Sequence, residues 1–133
     1  MVSLSTIGIW VLRLLAAIIL LQTLYFKFTA APESIYIFSK LGMEPWGRII
    51  IGILELIASA LILLPATTFF GSLLAIALMA GAIFFHLTTL GISVQNDGGQ
   101  LFIYALLVLV SSMSLAIIYR GDLMAVKKIL IKS

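Results

Sequence analysis

The chain has 133 residues, of which 63% are hydrophobic and only 10% are charged, and its mean hydropathy is +1.28. Soluble domains carry roughly 25% charged residues, and a chain this short has too little interior to hide so much apolar surface from water. The composition therefore predicts an integral membrane protein. Cysteine is absent, which excludes disulfides and thiolate metal sites. The net charge of +3 comes without a dense basic patch, so we expect no nucleic-acid partner.

Four long apolar segments follow one another along the chain. A helix needs about 20 mostly apolar residues to cross a hydrocarbon core of about 30 Å. The segments are continuously apolar rather than alternating, which favours helices over barrel strands. The predicted spans are 7–26, 46–64, 68–90 and 101–119. We expect a single transmembrane domain over residues 1–133, built as an all-α bundle of four transmembrane helices.

The connections between the spans predict two further helices. Pro32 suits a first helical turn and Gly42 a helix exit, which predicts a short interfacial helix over residues 32–41 between spans one and two. Pro65-Ala66-Thr67 predicts a tight turn that makes spans two and three a hairpin, and residues 96–99 read as another turn. Beyond the fourth span, Asp122 can cap a C-terminal basic amphipathic helix suited to an anionic membrane surface.

Aromatic and basic residues near the span ends predict the orientation. Trp46, Tyr25 and Tyr104 are expected at one interface, and Trp10 and Tyr119 at the other. Four spans place both termini on the same side, which we call the inner side. The slight excess of basic residues on that side favours termini in the cytoplasm. The basic residues compared are Arg120, Lys127, Lys128 and Lys132 against Lys27, Lys40 and Arg48.

Two opposite charges stand inside the predicted spans. An ionisable group in a span costs about 2.5–3.5 kcal/mol on insertion scales, so each needs a reason. Arg13 lies about 9 Å in from Ile7, and Glu55 about 13 Å in from Leu64, on the same inner side. The sequence therefore predicts a buried Arg13–Glu55 ion pair that locks span one to span two. The alternatives are Glu55 as a proton carrier or ligand contact, and Arg13 snorkelling to the inner surface.

A third polar group lies nearer the outer side. His86 is about 6 Å below the outer surface, and Lys27 ends span one on that side. The sequence predicts a ligand-binding pocket near Lys27, His86 and Tyr104. For His86, a neutral imidazole bonded at a helix interface, a ligand or proton-handling role, and a metal or haem ligand all remain open. We expect no metal site, because the chain has one histidine and no cysteine.

Small residues share helix faces with these ionisable groups. Such faces let membrane helices approach closely, so we expect them to line the interior of the bundle. The faces are Arg13, Ala17, Leu20, Leu24 and Lys27 on span one, Gly52, Glu55 and Ser59 on span two, and Ser72, Ala75, Met79, Ala82 and His86 on span three.

The order of these elements resembles the DoxX family of small bacterial membrane proteins. The resemblance rests on Arg13 early in span one, Lys27 at its end, Glu55 within "GRIIIGILELIASALILL" and His86 at the end of "ALMAGAIFFH". It implies a four-helix protein of the bacterial inner membrane. Some members are associated with quinone-linked sulfur oxidation, and others with a membrane oxidoreductase complex that handles oxidative stress. The resemblance therefore implies a redox-accessory or quinone-contacting role by analogy.

Three functions remain open at this level. The first is a quinone- or lipid-facing accessory subunit of a membrane oxidoreductase. The second is a non-enzymatic module that binds or transports a small amphiphile, and the third is a structural subunit, including a homo-oligomer. Without cysteine or a cofactor motif, autonomous redox catalysis has the least support of these readings.

Overall fold

The computed structural model describes residues 3–121, which are helical apart from short connections. The predicted all-α architecture is confirmed, and four of the helical segments are long and apolar enough to cross a membrane. The predicted basic helix after the fourth span lies outside the described residues. The helices are α1 (Leu4–Phe28), α2 (Pro32–Lys40), α3 (Trp46–Leu63), α4 (Thr68–Phe85) and α5 (Gln100–Ile118), with a 3-10 turn at Pro65–Thr67 and a π turn at His86–Leu90.

Local chemistry accounts for three of the helix ends. The Ser3 side chain accepts a hydrogen bond from the backbone N–H of Thr6 and so caps α1. Pro32 occupies the first turn of α2, where its missing N–H costs nothing. Gly91 ends the π turn with a φ of +83°, a conformation that side-chain-bearing residues rarely adopt.

The four long helices form a closed ring. α1 packs against α3 and α5, and α4 packs against the same two helices from the other side. The start of α1 and the end of α5 lie together at what we call the terminal end. Helix α2, the π turn and residues 91–99 lie at the opposite, loop end, where α2 packs on α1, α3 and the π turn.

The interior of the ring is rich in small residues and holds the buried polar ones, and its outside is apolar. Ala16, Ala58 and Ala75 are fully buried, whereas Ile18 and Val110 are 59% and 62% exposed. This distribution is the reverse of a soluble protein and suits helices that pack through small residues in lipid. The residues predicted to face inward are buried or half-buried, which confirms the predicted faces.

The hairpin between α3 and α4 is packed backbone to backbone. A Cβ atom built on Gly71 would lie 2.6 Å from the backbone nitrogen of Ile62 and 2.7 Å from the Cβ of Leu61. Thr68 closes the same corner, since its hydroxyl donates to the carbonyl of Ile62 at 3.1 Å. Only glycine fits at position 71 without moving the neighbouring helix.

The span boundaries differ from the sequence prediction at one important place. The segment predicted as one helix over residues 68–90 is an α-helix only to Phe85 and continues as the π turn. A π turn widens the helix by one residue and shifts the direction of the side chains that follow it. Hydrophobic periodicity has too little resolution to predict such a turn. The turn matters for the site because His86 is its first residue.

Candidate functional site

Glu55 forms its ion pair with Lys27. The distance between Lys27 Nζ and Glu55 Oε1 is 2.9 Å, and both side chains are largely buried. Thr23 donates its hydroxyl to the other carboxylate oxygen, Glu55 Oε2, at 2.8 Å. The predicted Arg13–Glu55 pair is therefore wrong: the described residues pair Glu55 with the other basic residue on the same face of α1.

The direction of the side chains explains the exchange of partners. In a helix the Cα–Cβ bonds tilt toward the N-terminus. Because α1 starts at the terminal end, Arg13 and Lys27 both lean that way, which takes Arg13 away from Glu55 and brings Lys27 toward it. Because α3 starts at the loop end, Glu55 leans toward Lys27. Comparing Cα depths alone missed this effect.

Arg13 belongs to a separate centre at the terminal end. It is 1% exposed, and its guanidinium donates a hydrogen bond to the hydroxyl of Tyr119. Its Cζ atom lies 4.6 Å from the ring centroid of Trp10 and 5.3 Å from that of Tyr119. Two aromatic faces and a hydroxyl thus stabilise the buried charge, as cation–π contacts do when they are desolvated.

A second arginine fixes the end of α1 beside Lys27. Arg48 is buried, and its Nε atom lies 2.9 Å and 3.0 Å from the two carboxylate oxygens of Glu44. The same guanidinium donates to the backbone carbonyl of Lys27 in the last turn of α1, which also accepts from the backbone N–H of Ala30 at 3.3 Å. Arg48 therefore holds the backbone from which the Lys27 side chain extends.

The π turn fixes the ring of His86. Its Nδ1 atom lies 2.9 Å from the carbonyl oxygen of Gly91, the residue that ends the turn. A carbonyl only accepts, so Nδ1 carries a hydrogen and donates it. Phe102 of α5 packs edge-on against the imidazole, with ring centroids 5.6 Å apart.

Lys27, Glu55 and His86 line one cavity in the loop-end half of the bundle. Its volume is about 250 Å³. The predicted pocket residues Lys27, His86 and Tyr104 all line it, so the structure brings the three together. Glu55 and Thr23 line the same cavity, and α2 closes it with Ser34 and Phe38. The remaining walls are mostly apolar and include Ile19, Leu20, Phe26, Met79, Ala82 and Leu101.

A second cavity, of about 500 Å³, adjoins the first at the loop end. The two share Phe26, Glu33, Leu101 and Tyr104. The outer cavity is also lined by exposed glutamines, and the amide of one of them, Gln100, donates to the hydroxyl of Tyr104 at 2.8 Å. The arrangement gives the inner cavity a polar mouth between α1 and α5.

Asp97 organises the loop that leads into α5. Its carboxylate accepts hydrogen bonds from the backbone N–H groups of Val94, Gly99 and Leu101, at 3.0, 2.8 and 3.2 Å. Partial burial raises the pKa of Asp97, but these three bonds, helped by nearby His86, outweigh it and hold the pKa below the ordinary value of 3.8.

Comparison with known proteins places this arrangement in a family. The sequence profile of the DoxX-like family matches residues 11–114, which include Arg13, Lys27, Glu55 and His86. The chain belongs to the DoxX-like family. The resemblance inferred from the sequence is thereby confirmed, and the chain is a small multi-pass membrane protein of this family. No curated protein and no solved structure matches it at a significant level.

Several residues at the site of this DoxX-like chain were not predicted from the sequence. Thr23 and Glu33 line the cavity, and Arg48 supports Lys27. Thr23 lies one turn before Lys27 on α1, so the helical period itself would have found it. Glu33 and Arg48 had no such signal, because their roles depend on where α2 and the start of α3 fold back against α1.

Proposed function

We propose that this DoxX-like protein binds an amphiphile with an oxygen-bearing ring as head group, of the quinone class, and serves as an accessory subunit of a membrane redox system. One observation carries the proposal. A mostly apolar cavity gathers Lys27, Glu55, His86 and Tyr104 around a single space of about 250 Å³. Apolar pockets with a few convergent polar groups are the usual form of small-molecule sites.

The size of the cavity fits one ring. A dry cavity of about 150 Å³ holds a benzene molecule, so about 250 Å³ admits a ring with small substituents. It is smaller than the ~300–1,000 Å³ of sites that enclose whole drug-sized ligands. An attached alkyl or isoprenoid tail therefore lies outside, along the apolar surface of the helices.

The polar residues fit an oxygen-bearing head group. The ammonium of Lys27 and the hydroxyl of Tyr104 have hydrogens to donate to ring oxygens. Glu55 neutralises Lys27 within the protein, so an uncharged ligand leaves no buried charge without a partner. A quinone supplies a carrier of two electrons and two protons when bound, while the residues of this chain bind and orient it.

The electrons in such a system come from a partner. The chain has no cysteine, and the described residues contain no group of three or more His, Asp or Glu able to hold a metal ion. We propose that a membrane oxidoreductase subunit supplies them, with membrane lipid around the rest of the bundle. We also propose a homo-oligomer as a second form of assembly to be sought.

For location, we propose the bacterial plasma membrane, with both termini in the cytoplasm. This orientation puts the loop end, and with it the mouth of the cavity, on the periplasmic side. The support is the charge bias of the terminal side. A reporter fused after Ser133 and active only in the cytoplasm should give signal, and activity of a periplasm-only reporter at the same place would contradict the orientation.

Native mass spectrometry of the protein extracted in its own lipid tests the ligand. We expect an adduct with the mass of a quinone or quinol, reduced several-fold in His86→Leu and in the charge-balanced double variant Lys27→Met/Glu55→Gln. Lys40→Met, which changes an exposed lysine, is the matched control and should keep the adduct. No quinone-class adduct in the wild type, or equal adducts in all variants, would contradict the proposal.

A further inference from the structure

The hydrogen bond of His86 determines which of its ring nitrogens can accept from a ligand. Since His86 Nδ1 donates to the carbonyl of Gly91, the neutral ring has its lone pair on Nε2, which can only accept. Nε2 has no hydrogen-bond partner among the described residues. It is also not fully enclosed by protein atoms. His86 is otherwise 5% exposed and lines the cavity. Its free acceptor is therefore available to a ligand there.

The other polar residues at the cavity include donors. The hydroxyl of Tyr104 already accepts from Gln100, which leaves its own hydrogen free to donate. The ammonium of Lys27 has three hydrogens, and its ion pair with Glu55 leaves hydrogens free to donate to a ligand. The two oxygens of Glu55 are engaged by Lys27 and Thr23, and any remaining capacity they have is to accept. The cavity therefore offers acceptors at His86 and Glu55 and donors at Tyr104 and Lys27.

We propose that the cavity selects the reduced, hydroxyl-bearing form of the ring, a hydroquinone or phenol, whose hydroxyl donates to Nε2 of His86. The inference rests on the proposed function and adds which redox form of the ligand the site prefers. A hydroquinone hydroxyl both donates and accepts, so it pairs with His86 through one oxygen and with Tyr104 or Lys27 through the other.

The oxidised ring fits the same space less well. A quinone has only carbonyl acceptors, so it pairs with Tyr104 or Lys27 and leaves the acceptor of His86 unsatisfied. A buried polar group left without its bond costs more than the bond itself contributes, and sites built to bond a ligand hydroxyl reject analogues that lack it. We expect the hydroquinone to bind about five- to tenfold more tightly than the quinone.

Equilibrium binding to the purified full chain in lipid nanodiscs tests the inference. The probes are a short-chain alkyl hydroquinone under anaerobic conditions, the corresponding quinone, and the dimethyl ether of the hydroquinone, which cannot donate. In the wild type at neutral pH we expect the hydroquinone to bind about five- to tenfold more tightly than either of the other two. His86→Leu should remove this ratio. His86→Gln, whose amide keeps an acceptor oxygen, should restore part of it.

The outcomes separate this inference from the proposed function. If all three probes bind in the cavity equally, or the quinone binds more tightly at neutral pH, the selection is wrong while quinone-class binding stands. If none binds, or binding is unaffected by a substitution that fills the cavity, the proposed function itself fails. If the ratio persists in His86→Leu, the preference does not come from Nε2 of His86, and the inference is overturned.

Discussion

Lys27 and Glu55 join the loop end of α1 to the middle of α3 through an ion pair of 2.9 Å. Each residue by itself would be costly inside a membrane. Together they are neutral, and Thr23 supplies a further hydrogen bond to the carboxylate. The same pair forms part of the wall of the cavity, so one interaction both fixes two helices and sets the polarity of the site.

The first prediction concerns the energetic coupling of this pair. Lys27→Met or Glu55→Gln alone leaves a polar or charged group without its partner, so the double substitution should destabilise less than the sum of the two single substitutions. We expect a coupling free energy of about 1–3 kcal/mol from reversible unfolding in detergent. Arg13→Met combined with Glu55→Gln is the matched control and should be additive. Coupling in the control together with additive effects of the Lys27 and Glu55 substitutions would contradict this pair and support an Arg13–Glu55 pair instead.

The second prediction concerns Arg13. Tyr119→Phe keeps the aromatic ring near the guanidinium but removes the hydroxyl that accepts its hydrogen bond. Because the charge is buried, we expect a loss of about 1–3 kcal/mol in the free energy of unfolding. Tyr25→Phe, in a tyrosine that is 61% exposed, should change it by less than about 0.5 kcal/mol. Equal effects of the two substitutions would show that the Arg13 centre contributes nothing specific.

The sequence predicted the membrane helices well because they depend on a coarse property. Runs of apolar residues in 46–64 and 101–119 are long enough that no other structure satisfies the backbone in lipid. The faces that point inward were also predictable, since small residues and ionisable residues recur at the helical period on α1, α3 and α4.

The pairing of charges was harder to predict than their burial. Lys27 and Arg13 share a face of α1, and the choice between them depends on side-chain direction relative to α3. A pocket near Lys27, His86 and Tyr104 was predicted because Lys27 and His86 lie at similar depth, and all three residues line the cavity. The π turn that orients His86 leaves no trace in hydrophobic periodicity.

The third prediction tests the close contact between α3 and α4. Gly71→Ala places a methyl group 2.6 Å from the backbone nitrogen of Ile62, which cannot move without shifting the helix. We expect a destabilisation of about 1–3 kcal/mol, as for overpacked cores. Gly81→Ala on the same helix meets no atom within 4 Å, and it should be neutral or stabilise by up to about 1 kcal/mol. Thermal unfolding in detergent compares the two, and a stable Gly71→Ala protein would contradict this packing.

The fourth prediction concerns pH. The pKa of Asp97 is lower in the folded chain than its ordinary 3.8, so the carboxylate stabilises the loop fully above that value, and the stabilisation is lost as the pH falls through the lower folded pKa. The midpoint of thermal unfolding should therefore fall on acidification below about pH 4. In Asp97→Asn it should fall less, and the two proteins should converge at the most acidic pH. Parallel curves for the two proteins would show that Asp97 does not contribute.

The most direct measurement is the binding of the alkyl hydroquinone to a variant whose cavity is filled by a larger side chain. Gly81 lines the cavity, and a Cβ atom built on it meets no atom within 4 Å, so we expect the ring of Gly81→Phe to occupy space that the ligand needs. Gly8→Phe is the matched control, because Gly8 is exposed near the start of α1 and is equally open. Thermal unfolding first checks that both variants are folded. We then expect Gly81→Phe to lose binding of the alkyl hydroquinone and Gly8→Phe to bind it as the wild type does. Wild-type affinity in Gly81→Phe would contradict the assignment of the cavity as the binding site.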